Sequence, residues 1–159
     1  MDLSQTIRDE YVRYFRHLAG RVETAVRAVP KEQVYVKPFA FGNSLGHLVL
    51  HLTGNLNHYI GARVANTGYV RDRPLEFTEP NPPPPEAALA KFHTAIEMVC
   101  RTLESQSAED WSKPLAEQFP IQTRFGLFLV CVAHINNHVG QMVWLVQQLG
   151  HTTNEPPIW

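Results

Sequence analysis

The chain has 159 residues, of which 44% are hydrophobic and only 18% charged, a composition typical of a folded globular protein and not of a disordered chain. Fourteen basic and fifteen acidic residues give a formal net charge of -1, which provides no electrostatic basis for binding nucleic acid or an anionic membrane. This length accommodates one hydrophobic core, so we expect residues 1–159 to form a single domain.

Neither a targeting segment nor a disulfide framework is expected. The first six residues carry an acid, Asp2, and no apolar run, which argues against a signal peptide. The longest apolar run, Phe125 to Ala133, is less than half of the ~20 residues that a membrane helix needs. Cys100 and Cys131 form no C-x-x-C motif and are expected to be buried, inert thiols. These features predict a cytoplasmic protein with no membrane partner.

Two helices are predicted in the first half of the chain. Apolar residues at spacings of three and four predict a first helix over residues 3–27, and Pro30 prevents its continuation. A second helix is predicted over residues 44–65, where Asn43 or Ser44 can cap the free N–H groups of the first turn.

The segment 66–85 is expected to be a long crossing connection. It contains four consecutive prolines, Pro82 to Pro85, which fit neither a helix interior nor a central strand. A loop of this length is uncommon in a compact domain. If the second and third helices run parallel, however, the chain must return along a whole helix length between them.

Two further helices are predicted over residues 86–105 and 123–149, with Gly150 placed to end the last one. Residues 107–122 between them are expected to be irregular. The segment 34–36 is strand-like but has no obvious pairing partner. The pattern therefore predicts an all-α protein, a four-helix bundle with a long crossover between helices 2 and 3.

Histidine is the unusually frequent residue, with eight in the chain. His134 and His138 form an H-x-x-x-H pair on the fourth predicted helix, and His47 and His51 form another on the second. Residues four apart share a helix face at about 6 Å between Cβ atoms, so two imidazoles can reach one metal ion. The alternative is a set of ordinary histidines at a polar helix end, bonded to backbone or water.

Short segments on the predicted second and fourth helices carry a family resemblance: Asn43-Ser44-Leu45-Gly46 leading to His51-Leu52, and His134-Ile135-Asn136-Asn137-His138-Val139-Gly140-Gln141. With the helix order and the long crossing, they resemble the DinB (YfiT-like) superfamily over nearly the whole chain. The segment from Arg71 to Phe77 also looks like a stretch found in some members.

That resemblance implies an up-down-down-up four-helix bundle, often a homodimer, with a divalent metal held by three histidines. The superfamily's first ligand lies seven residues after the serine that opens the second helix, which implies His51 and not His47. His134 and His138 match the other two ligands. The resemblance implies zinc or nickel as the metal, and we expect the homodimer to form through apolar surface left on two helices.

Three neutral histidines leave coordination positions open, which is typical of a catalytic metal. The site could support hydrolysis, or transfer of a low-molecular-weight thiol to a small-molecule electrophile. Relatives in the resembled superfamily include thiol-dependent S-transferases, so the resemblance favours thiol chemistry. The rival is a non-catalytic metal-binding or stress-linked interaction protein. A substrate-sized pocket beside the metal favours an enzyme, and a closed shell or a flat apolar patch favours the rival.

No residue is assigned a catalytic role from the sequence. Three loop carboxylates are candidate bases only because their loops could fold over the site: Asp72, Glu76 and Glu117. Three arginines could hold a substrate carboxylate or could equally form surface salt bridges: Arg71, Arg73 and Arg124.

Four polar residues near the predicted ligands have open roles. His47 is interpreted as an outer group or a surface residue, and His58 lies about 10 Å beyond His51 along the helix, too far to share its metal. Asn55 is expected to line a cavity. Gln141 could donate to a ligand or to a neighbouring carbonyl, with helix packing as the alternative.

Overall fold

The computed structural model describes residues 2–115 and 120–154 of the chain. The described residues contain five α-helices: α1 (Leu3–Arg27), α2 (Leu45–Leu56), α3 (Leu75–Thr78), α4 (Pro85–Glu104) and α5 (Arg124–Gln148). Within these ranges the only β-type pairing is an isolated bridge between Pro114 and Thr123. The all-α class predicted from the sequence is confirmed for this part of the protein.

Local caps explain where two of the long helices begin. The Ser44 hydroxyl accepts a hydrogen bond from the His47 backbone N–H, and Thr123 accepts one from Gly126. Each bond satisfies a donor that has no partner within its own helix. Gly150, after α5, adopts a φ of +84°, the left-handed conformation that favours glycine.

The second predicted helix differs from the structure in its last turns. It is α-helical only to Leu56, and Asn57–Ala62 then form a π-helix. The crossing segment also differs, because Leu75–Thr78 form one helical turn where the sequence predicted an irregular connection. The side chain of Asp72 accepts a hydrogen bond from the Leu75 N–H at 3.1 Å and so starts that turn.

The four long helices pack around one hydrophobic core. Both α1 and α2 lie against α4 and α5. The core is formed by the apolar stripes of these helices, and its largest fully buried side chains are Phe15, Leu18, Leu45, Leu48, Leu52, Leu56, Ile60, Phe92, Ile96, Leu103, Leu127 and Phe128. Burial of each such side chain stabilises the fold by roughly 1.5–3 kcal/mol.

Contacts between helix ends define which ends lie together. Trp111, whose ring contacts Phe125 in the first turn of α5, donates its indole N–H to Ser4 at the start of α1 over 2.9 Å. Lys31, just after α1, pairs with Glu86 at the start of α4 over 2.8 Å. The Tyr35 hydroxyl donates to the Pro83 carbonyl at 2.7 Å. Its ring lies so close to Gly46 that a Cβ there would collide with it, so the starts of α2 and α4 are neighbours.

Among the described residues, no helix is long and apolar enough to cross a membrane.

Phe92 provides a test of the core. We expect Phe92→Ala to lower the free energy of unfolding by about 3–5 kcal/mol, because the ring is fully buried on α4 and its loss leaves a cavity. Phe41→Ala is the matched control, since Phe41 is 79% exposed, and we expect a change within about 0.5 kcal/mol. Urea denaturation followed by circular dichroism measures both, and equal effects would contradict this description of the core.

Candidate metal centre

Three histidines from α2 and α5 meet at one point inside the helical core. His51 comes from α2, and His134 and His138 come from successive turns of α5. One ring nitrogen from each lies within 4.8 Å of the other two, close enough for all three to hold a metal ion. The Nε2 atoms of His51 and His134 are 3.0 Å apart. In the described part of the chain, this is the one such cluster of histidine, cysteine or acidic side chains.

Glu76 orients the first of these rings. The Nδ1–H of His51 donates to Glu76 Oε2 at 2.8 Å, and both side chains are buried. A neutral imidazole has one ring proton, so this bond leaves Nε2 of His51 as a bare nitrogen facing the other histidines. A carboxylate behind a ligating histidine is a common arrangement in metal sites, where it fixes the ring and its tautomer.

Arg71 holds the Glu76 carboxylate in place. Its Nε donates to Oε1 at 2.6 Å and its Nη2 donates to Oε2 at 2.8 Å, which makes a bidentate pair. Burial acts to raise the pKa of Glu76, but the hydrogen bonds from His51 and Arg71 outweigh it and lower that pKa. Gly54 provides the space, because a Cβ at this position would collide with the carboxylate. Glu76 is therefore a charged, fully bonded carboxylate.

Gln141 orients a second ring. The Nδ1–H of His138 donates to Gln141 Oε1 at 2.7 Å, one helical turn away on α5. Nε2 of His138 is then left as its bare nitrogen. The sequence had offered Gln141 as a donor, but the structure makes it the acceptor that holds His138.

Burial disfavours the charged form of two of these imidazoles. Desolvation, together with repulsion from His138, His51 and Arg71, lowers the pKa of His134 to about 4. Desolvation also lowers the pKa of His138. Because His51 donates its own ring proton to Glu76, the 3.0 Å contact between the Nε2 atoms needs a proton on His134. A divalent cation satisfies the same nitrogens without that proton, so this donor set fits a metal ion.

The other histidines of α2 and the adjoining π-helix have partners of their own. Nδ1 of His47 accepts a hydrogen bond from the Ser44 hydroxyl at 2.7 Å, so His47 belongs to the helix cap. Nε2 of His58 lies 3.0 Å from the guanidinium of Arg63. Neither ring is part of the three-histidine cluster.

The carboxylates and arginines considered from the sequence make different contacts in the structure. Asp72 caps α3, and Glu76 supports His51 instead of facing a substrate. Arg124 donates to Gln106 Oε1 at 3.1 Å, away from the histidines. Glu117 lies outside the described residues. Two arginines remain beside the cluster, namely Arg71 and Arg73.

A cavity of about 300 Å³ adjoins His51 and His134. Besides these two histidines, its described lining has polar side chains, namely Asn55, Tyr59, Arg71 and Arg73. The remaining described lining residues are Pro120, Ile121, Leu127, Val130 and Cys131. Such a mixture is typical of a site for a small molecule. Burial raises the pKa of the Cys131 thiol to about 12, so this cysteine is not a nucleophile at neutral pH.

Sequence reasoning missed the pairing of Glu76 with His51. The one available signal was the arginine and carboxylate five residues apart, Arg71 and Glu76, in a segment predicted to cross the core. It also missed Phe77, whose ring packs against the ring of His51 with 4.8 Å between the ring centroids.

Fold and site together define an all-α protein with a candidate three-histidine metal centre. The chain belongs to the DinB superfamily, whose sequence profile matches residues 14–142. This match confirms the resemblance seen in the two sequence segments. A comparison with curated proteins found no match.

Glu76 gives a direct test of the orienting bonds. We expect Glu76→Gln to weaken divalent-metal affinity by about 10–100-fold, because the charged acceptor behind His51 is lost. Competition with a chromophoric chelator measures the affinity, and circular dichroism verifies folding. Glu79→Gln is the matched control from the same segment. Among the described residues the Glu79 side chain bonds only the Asn81 N–H, so this change should leave the affinity unchanged. Equal affinities in all three proteins would refute the role of Glu76.

Proposed function

We propose that the protein is a metal-dependent enzyme, in which His51, His134 and His138 hold one zinc or nickel ion beside a small-molecule cavity. The observation that carries this proposal is the cavity itself, because its lining includes both His51 and His134. A ligand in the cavity therefore lies against the proposed metal ligands. Three protein ligands also leave coordination positions open, as in catalytic sites.

The proposed reaction is transfer of a low-molecular-weight thiol to an electrophile, or hydrolysis. A bound divalent ion supplies a nucleophile at neutral pH by lowering the pKa of a coordinated thiol or water. The chain's own residues orient the imidazoles through Glu76 and Gln141, and the apolar walls limit access of water to the histidines. The described cavity lining contains no serine and no carboxylate, and its thiol, Cys131, has a raised pKa. This composition supports a nucleophile that is brought by the ligands.

A non-catalytic metal-binding protein is the alternative. A closed shell of four protein ligands would favour it. The described residues instead supply a cluster of three histidines that opens on a cavity, which supports the enzyme.

We infer that the four long helices form an up-down-down-up bundle within a single domain, residues 1–159. The pairing of Ser4 with Trp111 supports parallel α1 and α5. The pairing of Lys31 with Glu86 supports antiparallel α1 and α4. Residues 63–84 then return the chain along the bundle, so that α2 and α4 run in the same direction.

We also propose a homodimer, formed through α1 and α5. A hollow of about 480 Å³ between these helices is lined by apolar side chains that include Ile7, Tyr11 and Phe125. Leu129, 49% exposed, and Phe125, 37% exposed, lie together in this hollow and form part of a contiguous apolar patch, which is typical of an interaction surface. A second copy of the chain would cover this surface in both molecules at once.

Light scattering tests the dimer. We expect the protein to have twice the 18.1 kDa chain mass, and Leu129→Glu to reduce it to the chain mass, because a charge is buried in the interface. Val70→Glu is the control, since Val70 is 88% exposed and lies outside the hollow. A wild-type protein at the mass of one chain would contradict the dimer.

Metal analysis tests the ligand set. We expect each of His51→Ala, His134→Ala and His138→Ala to weaken metal binding by more than the ~10–100-fold of an outer hydrogen-bond partner. His47→Ala is the matched control on the same helix. Its metal content should equal that of the wild type, because the His47 ring bonds Ser44 in the cap and is not part of the three-histidine cluster. Unchanged metal content in the three ligand variants would refute the site.

Catalysis needs its own measurement. A panel of electrophiles is tested with a low-molecular-weight thiol. We expect turnover to require added metal and to be lost in His51→Ala. A protein that binds the metal but turns over neither thiol–electrophile pairs nor hydrolysable esters would favour the non-catalytic alternative.

A further inference from the structure

Arg73 is a cation at the cavity without an acidic partner among the described residues. Its guanidinium lies over the ring of Phe77, 5.7 Å from the ring centroid, and Phe77 packs in turn on His51. This stacking holds Arg73 beside the histidine cluster. Arg71 differs, because its Nε and Nη2 are bound to Glu76.

Asn55 is the second polar group that faces the cavity without a partner. It lies one helical turn after His51 on α2 and is only 7% exposed. Its amide makes no hydrogen bond to any residue within 2–115 and 120–154, yet it lines the same cavity as Arg73. No side-chain nitrogen or oxygen of the described residues is both fully buried and unbonded, so the Asn55 amide keeps access to the cavity and can bond a ligand there.

The rest of the described lining determines the kind of ligand. It contains Arg71 and Arg73, and its described residues include no carboxylate. Glu76 neutralises the charge of Arg71, so the positive charge that an entering anion meets is that of Arg73. Ile121, Leu127 and Val130 provide apolar walls that fit a hydrocarbon portion. The combination favours a molecule with one anionic end and one apolar end.

We propose that the cavity binds an organic acid whose carboxylate is held by Arg73, with its apolar part against Ile121, Leu127 and Val130. Asn55 supplies a further hydrogen bond to a polar group of the ligand. A planar guanidinium matches a carboxylate with two parallel hydrogen bonds. This inference rests on the proposed function, because it names the substrate class of the same site.

Binding to the metal-free protein tests this inference separately from metal binding. The full chain is stripped with a chelator, which is then removed by dialysis, and is titrated with hexanoate or hexanamide. Amide shifts in two-dimensional NMR report the affinity and the place of binding. We expect hexanoate to shift the amides of Leu127 and Val130 and to bind about tenfold or more tightly than hexanamide, because a charged hydrogen bond is added.

Variants identify the side chain that binds the carboxylate of hexanoate. We expect Arg73→Gln to weaken hexanoate binding by about 10–100-fold while hexanamide binding is unchanged. Asn55→Leu should weaken binding of both probes. Arg101→Gln is the matched control, because Arg101 is exposed on α4 and lies outside the cavity, and it should bind both probes as the wild type does.

Three results would overturn the inference: no hexanoate binding in the cavity, equal affinity for hexanamide, or wild-type affinity in Arg73→Gln. Metal content is measured on the same preparations. A protein that prefers hexanoate but binds no metal would refute the proposed function and leave the anion site standing. A protein that binds metal but shows no preference for hexanoate would refute this inference alone.

Discussion

The buried carboxylate of Glu76 is the interaction on which the candidate site depends. It accepts hydrogen bonds from His51 on α2 and from Arg71 in the crossing segment, and so joins the two parts of the chain. A buried charge is strongly destabilising unless it is paired, and the bidentate arginine meets that condition. The absence of a side chain at Gly54 lets the carboxylate approach α2. The orientation of His51 is therefore set by residues that come 20 to 25 positions later in the chain.

The site combines histidines held by hydrogen bonds with an adjoining cavity. Glu76 and Gln141 hold the Nδ1 sides of His51 and His138, so that the Nε2 atoms converge without rearrangement. Burial keeps His134 uncharged at neutral pH, so a metal ion meets little competition from protons there. The cavity wall adds Arg73 and Asn55, whose side-chain polar atoms make no hydrogen bond to the described residues. The side chains that orient the histidines are therefore distinct from those that we propose to bind a substrate.

The sequence predicted the features that depend on local signals. Helical periodicity and end signals place the bounds of α1, α4 and α5 within one residue of the structure. The spacing of His134 and His138 brought two rings together on one face of α5. By contrast, α3 is a single turn, too short to give a periodic signal, and the π-helix at Asn57–Ala62 differs from an α-helix only in its hydrogen-bond register, which apolar spacing does not specify.

The histidine of α2 shows where sequence reasoning needed more than spacing. His47 and His51 are equivalent by periodicity, and only the superfamily resemblance favoured His51. The structure separates them physically, since Ser44 binds His47 in the cap whereas His51 reaches the α5 pair. Glu76 was considered as a base only because its loop could fold over the site. Its bond to His51 is a long-range contact, which no local pattern encodes.

A crystal structure of the metal-loaded protein, with anomalous diffraction at the zinc or nickel edge, tests the central claim most directly. The account predicts one anomalous peak per chain, within bonding distance of Nε2 of His51, His134 and His138, with Glu76 still bonded to Nδ1 of His51. A peak bound elsewhere, or no peak at the three histidines in the presence of excess metal, would contradict it.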